Sequence, residues 1–354
     1  MKENTELLAL EELRVDFATS GGTLQAVRGV SFQVDQGEIV GVVGESGSGK
    51  SVTAHSILRL LPGNGAITGG RILYRGEDIA RLKAPALRRY RGKEAAMIFQ
   101  EPGRSFDPLY TVGASLRETL RAHAPEMSPR EARERSIRLL EEVKVPDPAR
   151  RLDNFPYQFS GGLLQRIMIA HALAAEPALL IADEPTTALD VTIQAGIIEL
   201  LLELRRKRNL AILFITHNLA LISEFADRLV VMYAGIILEE GPPGEVLARP
   251  GHPYTEALLG GLVPLGAHHR DGPLRGLAGS PPDPLAPEEG CPFAPRCPLV
   301  TAQCRRELPP WRREGQSSFR CLVPGPKGPD LRFPRVGENP PGGSAPAEGE
   351  GGLP

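Results

Sequence analysis

The first 290 residues of the sequence contain no cysteine, and all four cysteines follow after that point. Long apolar runs are also missing, because stretches such as "IVGVVG" and "ALLIA" are only strand-sized, whereas a bilayer span needs about 20 residues. The N-terminal "MKENTELLAL" lacks the basic region and cleavage site of a secretory signal. A formal net charge of −2 provides no global attraction to nucleic acid or acidic membranes. These absences predict a soluble, intracellular protein.

The chain has 354 residues, of which 41% are hydrophobic. That length suits one large domain with an appendage, or two domains. Before residue 262, short β-rich runs alternate with helical patterns. Because these runs show little polar alternation, they predict strands buried on both faces of a largely parallel sheet. Four such runs span residues 37–44, 178–183, 210–216 and 228–235.

A helical insert is predicted between Gln100 and Ser160. Within it, "SPRE" indicates the start of a helix, with Ser128 as N-cap and Glu131 closing a capping box. After residue 262 the composition becomes rich in proline and glycine. The tail, residues 323–354, is predicted to be disordered because it cannot bury enough apolar surface to offset chain entropy.

The segment "GESGSGKS", residues 44–51, fits the phosphate-loop pattern G-x-x-x-x-G-K-[ST]. It follows an apolar strand-like run and opens a helical pattern, which is the context that supports the motif over a chance glycine-rich turn. Its glycines let backbone N–H groups point at phosphate oxygens. Lys50 would reach the β- and γ-phosphates, and Ser51 would ligate Mg²⁺. The predicted contacts of this segment are Gly44, Ser46, Gly47, Gly49, Lys50, Ser51 and Val52.

A carboxylate pair ends the apolar run "ALLIADEP", residues 178–185. The run would deliver Asp183 to the carboxyl edge of the sheet, where ligands of open α/β sheets collect. Asp183 would hold Mg²⁺, and Glu184 would polarise the attacking water. The alternative is a pair of solvated loop carboxylates, which a neighbouring phosphate loop disfavours.

The segment "FSGGLLQR", residues 159–166, resembles the signature of the ATP-binding cassette (ABC) family, LSGGQ followed by x-Q-R. Ser160, Gly161 and Gly162 match it, whereas Leu163 stands where glutamine is commonest. Three further motifs resemble the family in the same order. They are the Q-loop with Gln100 in "MIFQEP", the D-loop with Asp190 in "TALD", and the switch histidine His217 in "FITHN".

This resemblance implies an α/β fold: a P-loop NTPase, ABC-type nucleotide-binding domain with a RecA-like core, an antiparallel β subdomain and a helical subdomain. The cassette would occupy residues 8–262, with the helical subdomain at about 101–160. A small Cys-rich C-terminal extension would follow at residues 263–322.

In the family, two cassettes face each other head to tail, so each ATP lies between one chain's phosphate loop and its partner's signature. Gln100 and Asp183 would join the phosphate loop in binding ATP and Mg²⁺, with Glu184 as general base and His217 and Gln100 completing the catalytic set. Ser160 and Gly162 would serve the nucleotide bound by the partner, and Gly161 and Asp190 would also contact nucleotide. Phe17, in "LRVDF", stands where the family stacks an aromatic on adenine, although a core strand residue is an equal alternative.

The segments "GHPYTEALL" (251–259) and "GSPPDPLAPEEGCPFAPRCP" (279–298) resemble the C-terminal extension of ATPase subunits from bacterial dipeptide/oligopeptide importers. That resemblance implies a peptide transporter ATPase, peripheral at the cytoplasmic face of the cell membrane. Its partners would be a second ABC ATPase subunit in a heterodimer, with a homodimer as the alternative, two transmembrane permease subunits and an extracytoplasmic peptide-binding protein, with no nucleic acid. Nickel complexes or sugars are alternative substrates. A soluble ABC ATPase acting on nucleic acid or ribosomes is a further alternative, which the neutral charge disfavours.

The cysteine spacing is C-x5-C-x6-C-x16-C, which fits neither the common zinc patterns nor the bacterial ferredoxin pattern. Four cysteines without a nearby histidine suit tetrahedral zinc or an iron–sulfur cluster, and unligated thiols are the alternative. The importer resemblance favours a 4Fe–4S cluster, with Zn²⁺ second. Its ligands would be Cys291, Cys297, Cys304 and Cys321.

Overall fold

The computed structural model of the protein describes residues 6–187, 189–261, 277 and 279–323. The chain divides into two compact units, Met1–Ile237 and Leu238–Pro354. The predicted disorder of the tail lies, except for residue 323, outside the described residues. The limits at residues 262 and 322 stay predictions. Among the described helices, none combines the length and apolarity that crossing a bilayer requires.

The first unit contains two sheets. Its described strands are β1 (Glu6–Thr19), β2 (Gly22–Asp35), β3 (Ile39–Val43), β4 (Gly65–Tyr74), β5 (Glu77–Asp78), β6 (Ala95–Ile98), β7 (Leu179–Asp183), β8 (Ala211–Thr216) and β9 (Arg228–Tyr233). One sheet is antiparallel, in the order β2-β1-β4-β5. In the other, β9, β3, β8, β7 and β6 lie side by side and run parallel. The predicted parallel sheet is therefore confirmed.

The first unit also contains helices. They are α1 (Lys50–Ile57), α2 (Ala84–Lys93), α3 (Pro102–Ser105), α4 (Val112–His123), α5 (Pro129–Glu142), α6 (Pro148–Arg151), α7 (Gly161–Ala172), α8 (Val191–Arg208) and α9 (Leu219–Ser223). Every residue of β3, β7 and β8 is buried, as expected of strands covered on both faces.

The predicted capping box at the start of α5 is confirmed. The Glu131 backbone N–H donates to the Ser128 hydroxyl at 3.3 Å, and the Ser128 N–H donates to the Glu131 carboxylate at 2.9 Å. These two bonds satisfy N–H groups that the first turn of a helix leaves without partners. Along the chain, helices α3 to α6 all come after β6 and before the signature helix α7.

The second unit is small and mixed. Its described elements are β10 (Ile236–Gly241, which begins at the end of the first unit), α10 (Pro243–Ala248), α11 (Pro253–Gly260), α12 (Ala302–Arg306), β11 (Arg312–Glu314) and β12 (Ser317–Phe319). Strand β12 pairs antiparallel with both β10 and β11. Glu239 of β10 lies opposite Phe319, and both side chains are buried.

Candidate functional site

The residues predicted to bind nucleotide and catalyse its hydrolysis lie at one edge of the parallel sheet. Four strands that run in the same direction end next to functional residues. Strand β3 leads into the phosphate loop, β6 ends two residues before Gln100, β7 ends on Asp183, and β8 ends one residue before His217. Because carboxyl ends of parallel strands share an edge, motifs more than 160 residues apart along the chain meet in one place.

The phosphate loop depends on glycine at its two ends. Gly44 has φ 155°, and a Cβ there would strike the Met232 carbonyl oxygen. Gly49 has φ 96°, and a Cβ there would lie 2.6 Å from the Ala26 carbonyl oxygen. Larger residues would be strained in this left-handed conformation and would also push the loop away from its neighbours. The loop then enters α1, whose N-terminal N–H groups and partial positive charge suit phosphate.

Lys50 is 5% exposed, and its ammonium lies over the loop. It donates to the carbonyl oxygens of Gly44 and Glu45, both at 2.8 Å, and to the Ser48 hydroxyl at 3.2 Å. Burial lowers the pKa of Lys50, whereas the nearby carboxylates of Glu184, Asp183 and Glu45 oppose that shift. A buried cation held only by neutral oxygens is well suited to pair with a phosphate.

Asp183 and Ser51 form a compact set of oxygen atoms. The Ser51 hydroxyl donates to Asp183 Oδ1 at 3.0 Å. His55, one turn further along α1, places Nε2 3.9 Å from Asp183 Oδ2. Burial raises the pKa of Asp183, although the Ser51 hydrogen bond and His55 counteract it. Hydroxyl and carboxylate oxygens are the ligands that Mg²⁺ prefers, so these two residues fit that ion.

Glu184 is the centre of a hydrogen-bonded group. Its Oε2 atom accepts from Gln100 Nε2 at 3.0 Å and from the Thr187 hydroxyl at 2.9 Å. Its Oε1 atom lies 3.4 Å from His217 Nδ1. The residue has φ 45°, a left-handed conformation that is uncommon outside glycine. Backbone strain of this kind is typical of functional sites. The structure thus brings Gln100, Glu184 and His217 together.

His217 lies just beyond β8, with its side chain 60% exposed. The following backbone N–H, of Asn218, donates to the Thr216 hydroxyl at 3.0 Å. Asn218 in turn caps α9, because its side-chain oxygen accepts from the Leu221 N–H at 3.0 Å. Asparagine is one of the residue types preferred at this N-cap position.

The signature residues lie at the start of α7. Ser160 is the N-cap residue, but its side chain makes no capping hydrogen bond and is exposed. Gly161 is also exposed, whereas Gly162 is buried. Asp190 caps α8 by accepting from the Ile193 N–H at 3.0 Å. The predicted contacts of these residues with nucleotide stay predictions.

Phe17 lies on β1, partly buried beside the core of the first unit. Its ring lies against the backbone of Gly65, where a Cβ would come within 2.5 Å of the ring. Both predicted roles, adenine stacking and core packing, are compatible with this position.

Two residues near the site were missed by sequence reasoning. His55 follows Ser51 by four residues, a spacing that places both on one face of a helix. Thr187 follows Glu184 by three residues and closes a turn, since its N–H donates to the Glu184 carbonyl oxygen at 3.1 Å. The helical spacing could have identified His55. Nothing in the sequence indicates where the Thr187 hydroxyl points.

The predicted metal site of the extension is wrong. Among the described residues, no group of three or more His, Cys, Asp or Glu side chains is placed to hold a metal ion. The four cysteines and His252 do line a common cavity, but its volume is only about 10 Å³. That is the space of a single water molecule, so a 4Fe–4S cluster does not fit between the side chains.

The cysteines instead behave as packed thiols. Burial raises the pKa of Cys291 and of Cys297 to about 12, so both stay protonated at neutral pH. Cys291 Sγ lies 3.8 Å from His252 Nε2, and Cys304 Sγ lies 3.2 Å from the Thr301 hydroxyl. Buried neutral thiols act as small hydrophobic side chains with weak hydrogen bonds. None of the four forms a disulfide.

Comparisons with known proteins agree with the geometry of the site. The model of the family "ABC transporter" matches residues 27–187, and that of "Oligopeptide/dipeptide transporter, C-terminal region" matches residues 238–304. The chain is 48% identical over 305 residues to the dipeptide transport ATP-binding protein DppD of Bacillus subtilis (strain 168), covering 86% of this chain and 90% of that protein. It is 47% identical to DppD of Escherichia coli (strain K12), covering 86% and 92% respectively.

Solved structures support the same assignment. The dimeric structure of MJ0796, a bacterial ABC transporter cassette, superposes with a TM-score of 0.61 at 26% identity, covering 67% of this chain and 99% of the cassette. The same cassette in a post-hydrolysis state, bound to ADP and Pi, gives a TM-score of 0.60 at 26% identity, with the same coverage. The chain belongs to the ABC transporter family, as an ATP-binding subunit whose hydrolysis of ATP drives transport.

Proposed function

We propose that the protein is the ATP-hydrolysing subunit of a membrane importer for dipeptides and oligopeptides. The observation that carries this proposal is the match of residues 238–304 to the C-terminal region of oligopeptide/dipeptide transporters. The relatives named for dipeptide transport align over both units of the chain rather than over the cassette alone. Peptide is therefore favoured over nickel complexes or sugars as the substrate.

The chemistry assigns a role to each side chain at the sheet edge. Lys50 and the loop N–H groups bind the β- and γ-phosphates, and Ser51, Gln100 and Asp183 hold Mg²⁺. The metal ion neutralises charge on the phosphates when it is bound. Glu184 takes the proton of the attacking water at its Oε1 atom, because Oε2 already accepts hydrogen bonds from Gln100 and Thr187. Positioning and electrostatic stabilisation of the γ-phosphoryl group supply most of the rate enhancement.

ATP binds at a composite interface with a second ATPase subunit. The exposed Ser160 hydroxyl has no capping role within α7, so it is available to a nucleotide held by a partner. Gly161 beside it exposes the first N–H groups of that helix, which suit a phosphate. We expect a heterodimer with a different cassette, in which Asp190 lies near the same interface.

The subunit acts as a peripheral protein at the cytoplasmic face of the membrane. Two transmembrane permease subunits would anchor it there, and an extracytoplasmic binding protein would deliver the peptide. Leu109 and Tyr110 support a contact with a permease, because they are 81% and 56% exposed on the loop after α3. Adjacent exposed apolar side chains of this size favour an interaction surface.

The experiment is a Glu184→Gln substitution in the assembled transporter. We expect nucleotide binding to persist while steady-state hydrolysis and peptide uptake fall by at least roughly 10²-fold, since general-base catalysis contributes 10²–10⁴. Glu199→Gln, on the exposed face of α8, is the matched control and should leave both rates unchanged. Normal hydrolysis by the Glu184 variant would refute the base assignment.

Purification from membranes tests the partners separately. Recovery of the protein with two multi-span proteins and a second ATPase supports the importer. Recovery with ribosomes or nucleic acid instead would overturn it. Uptake of labelled dipeptides by reconstituted vesicles then tests the substrate, and uptake of a sugar or a nickel complex alone would contradict the peptide assignment.

A further inference from the structure

The hydroxyl of Thr187 contacts the group that the proposed mechanism uses as its base. It donates to Glu184 Oε2 at 2.9 Å, within the range of O–H···O hydrogen bonds. The same oxygen atom accepts from Gln100 Nε2 at 3.0 Å. One carboxylate oxygen is thus occupied by two donors, and the other, Oε1, is left facing His217.

The main chain around Glu184 is fixed on both sides. Its N–H donates to the Ile215 carbonyl oxygen of β8 at 3.0 Å, and its own carbonyl oxygen accepts from the Thr187 N–H at 3.1 Å. Pro185, the second residue of this turn, restricts the backbone further because its ring fixes φ. What these bonds do not restrain is rotation about the side-chain bonds of Glu184. A hydrogen bond to the carboxylate itself is needed for that.

Two donors could provide the restraint, and they differ in how they are anchored. Gln100 comes from the loop after β6, and the proposed function also assigns it to Mg²⁺. Thr187 belongs to the same turn as Glu184, so its hydroxyl keeps its place relative to the carboxylate whatever Gln100 binds. Thr187 is exposed, so burial in the core does not account for a threonine at this position.

We propose that Thr187 is a positioning residue for ATP hydrolysis, holding the Glu184 carboxylate so that Oε1 can accept the proton of the attacking water. This inference rests on the proposed role of Glu184 as the base. In that step the water oxygen bonds to the γ-phosphorus, and the bond from phosphorus to the bridging oxygen breaks. The bonding electrons leave with ADP, and the water proton passes to Glu184. Thr187 exchanges no proton itself.

The test compares Thr187→Val, which keeps the shape but removes the donor, with Thr187→Ser, which keeps the donor. In the assembled transporter we expect Thr187→Val to lower kcat by roughly tenfold, a fraction of what a general base contributes. The KM for ATP and the dissociation constant of a fluorescent ATP analogue should stay the same. Thr187→Ser should restore most of the lost kcat, which a packing role for the side chain would not explain.

Thr68→Val is the matched control, because Thr68 is also exposed and donates to a carboxylate, that of Asp16, at 2.8 Å. It lies outside the site and should leave kcat unchanged. Wild-type kcat in Thr187→Val would overturn the inference, as would Thr187→Ser being as slow as the valine variant. A parallel rise in KM and analogue dissociation would overturn it too, because Thr187 would then be acting on nucleotide binding.

Glu184→Gln separates this inference from the proposed function. If that variant nearly stops turnover while Thr187→Val behaves as wild type, the role of Thr187 fails and the base assignment stands. If Glu184→Gln itself turns over normally, the base assignment fails and the role of Thr187 fails with it. Thermal unfolding followed by circular dichroism establishes that each variant is folded before the rates are compared.

Discussion

Both units of the protein bury ionisable side chains, but they hold them in different ways. In the first unit Lys50 is 5% exposed and bonds to loop carbonyl oxygens, all partners that a phosphate can replace. In the second unit Glu239 is fully buried, and its carboxylate accepts from the N–H groups of Gly251 and His252 at 2.6 and 3.0 Å. Those backbone donors are committed to the fold. Burial of an ionisable side chain alone therefore does not identify a binding site. A binding site is indicated when the hydrogen-bond partners of that side chain can be replaced by a ligand.

The pKa shifts in the second unit support the same conclusion about burial. Burial raises the pKa of Glu239 to about 7 and lowers that of His252 to about 3. Shifts of this size are often used to find catalytic groups. Here they fall on a network that joins β10 to the start of α11, where His252 also accepts from the Tyr254 N–H at 3.0 Å. In this unit the shifts indicate packing rather than chemistry.

The difference between the two units can be tested by substitution. The largest effect, on ATP affinity, is expected from Gly49→Ala in the phosphate loop. The new Cβ would lie 2.6 Å from the Ala26 carbonyl oxygen, at a backbone φ of 96°. We expect ATP affinity, measured with a fluorescent analogue, to fall by at least roughly 10²-fold, because the loop N–H groups would lose their alignment.

Gly63→Ala is the control for that substitution, since a Cβ at Gly63 meets nothing within 4 Å. It should bind nucleotide as the wild type does. Fluorescence of Trp311, the single tryptophan of the chain, reports the second unit and should be the same in both variants. Tight nucleotide binding by Gly49→Ala would show that the loop does not need its left-handed conformation.

A pH-dependent effect of intermediate size is expected from Glu239→Gln. Because the folded-state pKa of Glu239 is raised from its ordinary 4.5 to about 7, the folded state holds more protons than the unfolded state between these values. The contribution of Glu239 to stability is then full below pH 4.5 and is lost as the pH rises to 7. Glutamine does not titrate, so its cost relative to glutamate should shrink by about 3 kcal/mol from pH 4.5 to pH 7.5.

Denaturant unfolding followed by Trp311 fluorescence measures this difference. Taking the difference between variant and wild type cancels His252, whose slope has the opposite sign, and Glu256, whose pKa burial also raises to about 7. Glu289→Gln, at an exposed position of the same unit, should show no such trend. If the loss of unfolding free energy caused by Glu239→Gln did not change with pH, the Glu239 carboxylate would have the same pKa in the folded and unfolded states.

Much of the first unit could be predicted from the sequence, because its motifs combine with strong patterns. The apolar run that ends at Asp183 is a buried strand, and parallel strands must end at one edge. The contact between Thr187 and Glu184 could not be predicted. It depends on the positive φ of Glu184, and glutamate is not a residue type that usually adopts that conformation.

The cysteines show where the sequence is insufficient. Spacing and family resemblance identified which side chains come together, and all four do line one cavity. They could not determine how much space lies between them. In the structure the four thiols and His252 line a cavity of about 10 Å³, and Cys291 Sγ lies 3.8 Å from His252 Nε2. Residue types alone cannot distinguish that arrangement from a metal centre.

The smallest expected effects come from a pair of helix N-caps, one in each unit. Ser128 accepts from the Glu131 N–H at 3.3 Å, and Thr301 accepts from the Cys304 N–H at 3.4 Å. Replacing either by alanine should cost about 1 kcal/mol, because one N–H of the first turn loses its partner. If the two units unfold separately, the transition followed by Trp311 fluorescence should move to lower denaturant for Thr301→Ala and stay in place for Ser128→Ala. Equal shifts of that transition in both variants would mean that the two units unfold as one. The two units would then differ in how they hold buried ionisable groups but not in their stability.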